Sequence, residues 1–226
     1  MKITHYQALG LSYATLVDRE RGILEGLRPL AAQSARPLDD LQLLAAYRNL
    51  ALQLADQVSS PTALHGQLYQ RLAQQLLIVP DWDASVAFGS AAAQWPIYED
   101  APGALQYLSK FYRLVLIAPR HGIDIDSLTR RLPVTFDAIV EPADDDWRPA
   151  LAHALQAIEV PRMGMLPVRS SEPDDPWNSL VDFPICTLRR AQTQPWNLTH
   201  SALDAKRCEY ASLADMAHAH QWALRA

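Results

Sequence analysis

The segment from Trp95 to Ile117 constrains the fold most, because it predicts a helix followed directly by a buried strand. Asp100 is placed to cap this helix, and Pro102 falls in its first turn, where a missing N–H costs nothing. Leu114 to Ile117 is then a continuous apolar run, which is typical of a strand buried on both faces of a parallel sheet. The segment therefore predicts one helix-to-strand unit of an α/β fold.

Strand and helix patterns go on alternating to the end of the chain, which indicates parallel crossovers and a sheet flanked by helices. Before Trp95, apolar residues recur at helical spacing in four consecutive stretches, which favours an inserted helical bundle. We therefore predict an α/β core formed by residues 1–17 and 96–226, with a helical cap at 18–95. The other predicted elements are strands at 138–140, 163–168 and 185–188, a helix at 147–158, and helices capped by Asp126 and Ser212.

Composition excludes several classes of partner. The formal net charge of −5 argues against nucleic acid and anionic membrane surfaces, which call for a basic face. No apolar run reaches the ~20 residues of a membrane span, and the N-terminus lacks the apolar segment of a signal peptide, so we expect a cytoplasmic protein. The two cysteines are too few for a disulfide framework or a zinc site, and we interpret Cys186 as a buried small hydrophobe.

The chain contains no glycine-rich nucleotide-binding motif, P-loop or nucleophile elbow, so we expect no cofactor. The acidic pair in 124–126 is interpreted as a loop with a helix cap, and the acidic run 144–146 as an exposed helix start. Magnesium requires near-octahedral oxygen coordination with one or two carboxylates, whereas the first-strand loop supplies none, and Asp174 and Asp175 alone leave such a site incomplete. We therefore predict no specific metal site.

Three short stretches, in a fixed order along the chain, resemble a known family. They are 8–18 (ALGLSYATLVD), 136–139 (FDAI) and 183–185 (FPI). The first is similar to A-L-x-F-D-x-Y-G-T-L-x-D, the first strand and loop of the haloacid dehalogenase superfamily, closest to its type II 2-haloacid dehalogenase-like branch. The other two resemble the segments around the third and fourth motifs of that superfamily. The resemblance implies a Rossmann-like core with a helical cap.

The catalytic positions that the resemblance implies differ in this chain. The nucleophile of the family is an aspartate at the end of the first strand, which forms a covalent ester or phosphoryl-aspartate. Here Ser12 stands in that region, followed by Tyr13 and Thr15, and the loop is one residue short and lacks any carboxylate. These three hydroxyl residues are candidates for a degenerate pocket.

The remaining motifs also depart from the pattern of the family. Ala118 stands where the second motif offers a Ser or Thr hydroxyl, and Arg148 stands where the third offers a lysine, so the charge is kept without the compact ammonium. Asp174 is aligned with the acid of the fourth motif. Arg48 resembles the cap arginine that holds the substrate carboxylate in 2-haloacid dehalogenases, although an ordinary exposed helix arginine is the better explanation.

Two interpretations follow. The first is a degenerate family member without hydrolase activity, which acts as a binding or regulatory scaffold for a protein or a small-molecule ligand. The alternative is a 2-haloacid dehalogenase-like or phosphatase-like hydrolase with displaced chemistry at Ser12, Asp174 or a cap residue. We also expect a homodimer, as in related dehalogenases, because the second predicted helix carries a broad apolar stripe that could be either a contact surface or the bundle's own core. This stripe comprises Leu43, Leu44, Tyr47, Leu50 and Leu54.

Overall fold

The computed structural model describes residues 3–36, 38–54, 57–58, 60–118, 125–141, 147–172, 175–179, 184–190 and 208–225. Within this part of the chain, six strands form one parallel sheet in the order β3-β2-β1-β4-β5-β6. The strands are β1 (Ala8–Ser12), β2 (Arg113–Ile117), β3 (Ala138–Val140), β4 (Met165–Ser170), β5 (Cys186–Leu188) and β6 (Cys208–Tyr210). This sheet is flanked by helices, so the predicted α/β class is confirmed.

Four helices lie between β1 and Trp95, and they pack on one another. They are α1 (Arg19–Ala31), α2 (Asp40–Leu54), α3 (Pro61–Gln75) and α4 (Trp82–Ala91). The helices that accompany the sheet are α5 (Ala101–Leu108), α6 (Ile125–Arg130), α7 (Arg148–Ala157) and α8 (Leu213–Arg225). No helix in the described part of the chain has both the length and the apolar composition that a bilayer crossing needs.

The continuous apolar run of β2 is explained by two separate hydrophobic clusters, one on each face of the sheet. Leu114 and Leu116 belong to the larger cluster, whereas Val115 and Ile117 belong to the smaller one. Side chains alternate across a strand, so a strand covered on both faces must be apolar at every position. β1 lies between β2 and β4, and all five of its residues are buried.

The apolar stripe of α2 is buried inside the chain itself. Every one of its members is at most 6% exposed, as part of the same core cluster that includes residues of α1, α3 and α4. The stripe is therefore the core of the helical bundle and offers no surface to a second copy. The expectation of a homodimer loses this support and stays a prediction.

Two of the predicted helix caps are wrong and one is confirmed. The side chain of Asp100 does not cap α5; its carboxylate instead accepts hydrogen bonds from Arg190 and from the N–H of Ala214. Asp126 lies inside the first turn of α6, because that helix begins one residue earlier. The hydroxyl of Ser212 accepts a hydrogen bond from the N–H of Asp215 (3.1 Å) at the start of α8, as predicted.

Close packing of α3 against α4 requires Gly89. A Cβ at this position would lie 2.4 Å from the backbone carbonyl oxygen of Thr62, so Gly89→Ala forces the two helices apart. We expect this substitution to lower the free energy of unfolding by about 1–3 kcal/mol in urea titrations. Gly103 in α5 is the control, because a Cβ there meets nothing within 4 Å. Gly103→Ala should raise stability by up to about 1 kcal/mol, and equal effects of the two changes would contradict this account.

Candidate functional site

The carboxyl ends of three adjacent strands meet where open α/β sheets place their ligands. Ser12 ends β1, Ala118 directly follows β2, and Ser170 ends β4. The register places Ser12 opposite Ile117 of β2. This edge of the sheet is therefore the candidate site.

At its centre, the carboxylate of Asp175 joins β1 to β4. Its Oδ2 accepts hydrogen bonds from the hydroxyl of Ser12 (2.5 Å) and from the N–H (2.8 Å) and hydroxyl (3.0 Å) of Ser170. Its Oδ1 accepts the N–H of Trp177 (3.0 Å). Burial raises the pKa of Asp175, and these four donors oppose that rise without cancelling it. Groups of the chain itself thus supply the hydrogen bonds that this carboxylate accepts.

Just after β1, the chain forms a short 3-10 turn over Tyr13–Thr15. Thr15 donates its hydroxyl to the carbonyl of Ser12 (2.6 Å), and both side chains are fully buried. Tyr13 is buried too, and burial raises the pKa of its phenol, so the phenol stays protonated at neutral pH. None of these three hydroxyl residues presents an ionised oxygen at neutral pH.

Arg19, the first residue of α1, connects the helical bundle with the sheet. Its guanidinium forms an ion pair with Glu172 (2.7 Å), in the loop that follows β4. The same positive charge lies close enough to Tyr13 and His65 to affect the pKa of both groups. The ion pair therefore lies where α1, α3 and the carboxyl edge of the sheet come together.

His65 of α3 lies in an aromatic pocket formed by Tyr47, Phe88 and Trp95. Its Nδ1 is 2.8 Å from the hydroxyl of Tyr47, and its ring makes an edge contact with Trp95 at a centroid distance of 5.0 Å. Burial, with a smaller contribution from Arg19, lowers the pKa of His65 to about 4. The imidazole of His65 is consequently neutral at neutral pH.

A second arginine, Arg190, ties the loop after β5 to the same edge. It donates to the carboxylate of Asp100 (2.5 Å) and to the carbonyl of Thr15 (2.7 Å), and its guanidinium lies 3.7 Å from the ring centroid of Tyr98. Its side chain is only 8% exposed. An arginine this deeply placed fixes the backbone of the turn after β1.

The other predicted site residues are not brought into this network by the contacts that the structure describes. Ala118 is buried and uses its N–H to bond the carbonyl of Val140 (2.9 Å). Arg48 forms an ion pair with Glu20 of α1 and is nearly half exposed, as expected of an ordinary helix arginine. Arg148 is exposed at the first position of α7. Asp174, Asp124 and the acidic run 144–146 lie outside the described residues.

Sequence reasoning missed three residues that organise the site: Asp175, Glu172 and Arg190. Asp175 and Glu172 lie in the same acidic segment as Asp174, so the sequence did indicate this segment. It did not indicate which of the acidic residues turns inward. Only a three-dimensional arrangement brings Arg190 to Thr15, 175 residues earlier in the chain. No local sequence pattern predicts a contact between residues so far apart in the chain.

The donor set at this edge does not suit magnesium. A magnesium site in a protein uses one or two carboxylates with free lone pairs. Here Oδ2 of Asp175 already accepts three hydrogen bonds, and the first strand ends in Ser12. Among the described residues, no three His, Cys, Asp or Glu side chains are grouped closely enough to hold a metal ion.

Comparisons with solved structures define the fold. The chain is similar to the L-2-haloacid dehalogenase PA0810, with a TM-score of 0.68 and 15% identity over 97% of this chain and 99% of that one. It is also similar to the L-2-haloacid dehalogenase from Xanthobacter autotrophicus solved with chloropropionic acid covalently bound (TM-score 0.65, 17% identity, 94% and 97% covered). A third similar structure is the putative HAD-hydrolase YfnB from Bacillus subtilis bound to magnesium (0.66, 13%, 96% and 99%).

The chain therefore has the fold of the haloacid dehalogenase superfamily: a Rossmann-like α/β core with a helical cap. Its likeness to the 2-haloacid dehalogenases extends over almost the full length of both partners. No protein-family model matches the chain, and no curated protein matches it in sequence. At these identities the likeness describes the fold, and the chemistry has to be argued from the site.

The Asp175 network yields a prediction about stability. Asp175→Ala removes the acceptor of four buried hydrogen bonds, and we expect it to cost about 3 kcal/mol in the free energy of unfolding. Ser12→Ala removes one donor and should cost about 1 kcal/mol. The exposed Asp83 is the matched control, and Asp83→Ala should stay within about 0.5 kcal/mol. If Asp175→Ala costs no more than the control, the network does not hold the two strands together.

The buried His65 yields a prediction about pH. Its folded-state pKa, about 4, is below the ordinary value of 6.5, so the unfolded chain binds more protons between these two pH values. Stability should therefore fall as the pH drops from 7 towards 4, and His65 should account for a loss of up to about 3 kcal/mol. Urea titrations at several pH values measure this loss.

His65→Gln keeps a partner for Tyr47 but cannot titrate, so it should lose much less stability on acidification than the wild type does. The exposed His218 is the control, and His218→Gln should leave the pH dependence unchanged. A His65→Gln variant with the same acid sensitivity as the wild type would assign that sensitivity to other groups.

Proposed function

We propose that this chain is a haloacid-dehalogenase-fold protein that lacks the covalent chemistry of the superfamily and acts as a binding or regulatory scaffold. One observation carries the proposal. Where the first strand of the resembling family ends in its nucleophilic aspartate, this chain has Ser12, which is fully buried and donates its hydroxyl to Asp175 at 2.5 Å. A serine hydroxyl is a weak nucleophile unless a base with free capacity removes its proton.

Asp175 is poorly suited to be that base. A general base must accept a new proton at an oxygen that is free to take it, whereas both oxygens of Asp175 already accept hydrogen bonds. A substrate would also have to reach Ser12, which has no exposed surface. Ala118 adds no hydroxyl that could orient a substrate group. The residues that would have to act together are therefore absent or already bonded.

The contacts at the boundary between cap and core favour a scaffold over an enzyme that opens and closes around a substrate. Arg19 and Glu172 join α1 to the loop after β4, and the backbone of Val17 pairs with that of Ile97 where the chain returns from the bundle. Arg190 bonds the carbonyl of Thr15. These contacts use the chain's own groups close to the carboxyl edge of the sheet, where open α/β folds place their ligands.

We propose a protein or a small molecule as the partner, since the net charge of −5 disfavours nucleic acid and anionic lipid. A homodimer remains part of this proposal through the likeness to related dehalogenases alone. Light scattering at micromolar concentration tests it, and a mass of one chain would reject it.

A second candidate is a 2-haloacid dehalogenase-like or phosphatase-like hydrolase with displaced chemistry. The observation in its favour is the Ser12–Asp175 pair itself, because a hydroxyl that donates to a carboxylate is one arrangement that activates a nucleophile. The pair is tight and buried, however, and it also serves as the link between β1 and β4. We therefore rank this candidate second.

We predict that the purified protein hydrolyses neither p-nitrophenyl phosphate nor 2-chloropropionate above the buffer blank, with or without magnesium. A homologous 2-haloacid dehalogenase assayed in parallel shows that the conditions support turnover. Ser12→Ala should match the wild type, because no step depends on this hydroxyl. Wild-type turnover that Ser12→Ala or Asp175→Asn abolishes would reject the scaffold and favour the second candidate.

Restoring a carboxylate by Ser12→Asp should not create activity. The new carboxylate would lie beside Asp175 in a buried place, where like charges repel and one of them must be protonated. We expect a less stable protein in urea titrations and no turnover. Activity in this variant would mean that the remaining residues of the site are competent and that only the nucleophile is missing.

A further inference from the structure

The only two cysteines of the chain face each other across neighbouring strands. Cys186 of β5 is the register partner of Cys208 of β6, and both are free and buried. Neighbouring strands lie about 4.8 Å apart, which falls within the Cα separations that disulfides span. The two thiols also lie close enough for each to shift the pKa of the other. Two thiols placed directly opposite each other are a more specific arrangement than the buried small hydrophobe that the sequence predicted for Cys186.

The two thiols are chemically unequal. Interaction with the side chains of Cys186 and Tyr210 lowers the pKa of Cys208 to about 7, although burial opposes this. The pKa of Cys186 is raised by its interaction with Cys208 and by burial. Since the thiolate is the reactive form, Cys208 is the better nucleophile near neutral pH, whereas Cys186 stays protonated as a thiol. Cys208 is also the more exposed of the two, at 8% against 0%.

We propose that Cys186 and Cys208 are a redox site, which hydroperoxides convert to a reversible disulfide within the chain. Cys208 attacks one oxygen of hydrogen peroxide as the thiolate, the O–O bond breaks, and the hydroxide that leaves is protonated to water. The resulting sulfenic acid is then attacked by Cys186, which loses its proton and displaces a second water. Two thiols lose two electrons in total, and one peroxide is reduced to two waters. A low-molecular-weight thiol reverses the step by exchange.

The disulfide would secure one edge of the sheet. β6 has three residues and pairs only with β5 in the described part of the chain. The helix that follows it, α8, packs on α5, where His220 is hydrogen-bonded to the hydroxyl of Tyr107 (2.9 Å). A bond between the two cysteines therefore attaches β6, and the start of the segment that leads to α8, covalently to the sheet.

The test uses the full-length native protein and hydrogen peroxide in small molar excess. We expect both thiols to disappear from thiol labelling and the intact mass to fall by about 2 Da, since two hydrogens are lost per disulfide. Non-reducing electrophoresis should show a single chain, and dithiothreitol should restore both thiols. In protein unfolded by urea the disulfide should form at least about tenfold more slowly, because the strands no longer hold the thiols together.

Two matched variants identify the roles of the cysteines. In Cys186→Ser, peroxide should leave Cys208 as a sulfenic acid that dimedone traps, whereas in Cys208→Ser the buried Cys186 should stay unmodified over the same time. Two titratable thiols that persist in oxidised wild type, a disulfide between two chains, or equal rates in native and unfolded protein would each overturn the proposal. The wild-type measurements decide the matter even if a variant fails to fold.

Discussion

Burying the carboxylate of Asp175 at the end of the sheet removes it from water, a change that costs several kcal/mol unless other donors replace that water. Four donors do so, from Ser12, Ser170 and the backbone of Trp177. The pKa of Asp175 is nevertheless raised, so the donors do not fully offset its burial. What the arrangement secures is geometry, because the inward turn of Asp175 joins the end of β1 to the end of β4.

The same interaction explains why the fold could be predicted further than the site. The run Leu114 to Ile117 needed no knowledge of distant residues, because a strand covered on both faces has to be apolar throughout. Asp100 had the correct residue type for a helix cap, yet its oxygens are used by Arg190 and Ala214 from the far end of the chain. Local preference was outweighed there by charged and backbone partners that only the folded chain supplies.

Short strands and neighbouring acidic residues are the other features that could not be predicted from the sequence. β6, from Cys208 to Tyr210, has three residues with a charged one in the middle, so no apolar pattern marks it as a strand. Its identity comes from pairing with β5, a contact across 22 positions of sequence. Asp174 and Asp175 are likewise indistinguishable by type. The inward turn of Asp175 is fixed by the N–H of Trp177, a bond that depends on the backbone conformation of the loop.

The position of Arg19 shows how the helical cap and the sheet depend on each other. The guanidinium is paired with Glu172 at 2.7 Å, so both charges are already used within the chain. The nearby histidine, His65, is held neutral by burial, and protonating it would place a second cation close to Arg19. The polar groups at this boundary are therefore matched to one another, and any ligand that entered would have to replace these bonds before making its own.

Replacing an attacking carboxylate by a hydroxyl changes more than one atom of the site. An aspartate nucleophile is ionised at neutral pH and attacks without a base, whereas a serine must first lose a proton to one. In this chain the group closest to that role, Asp175, receives the hydrogen bond of Ser12 as part of a structural link. The hydroxyl is suited to the link because it donates, whereas an ionised carboxylate at the same position would repel that of Asp175. Under the proposed function, Ser12 therefore contributes a bond that stabilises the fold and not a reactive group.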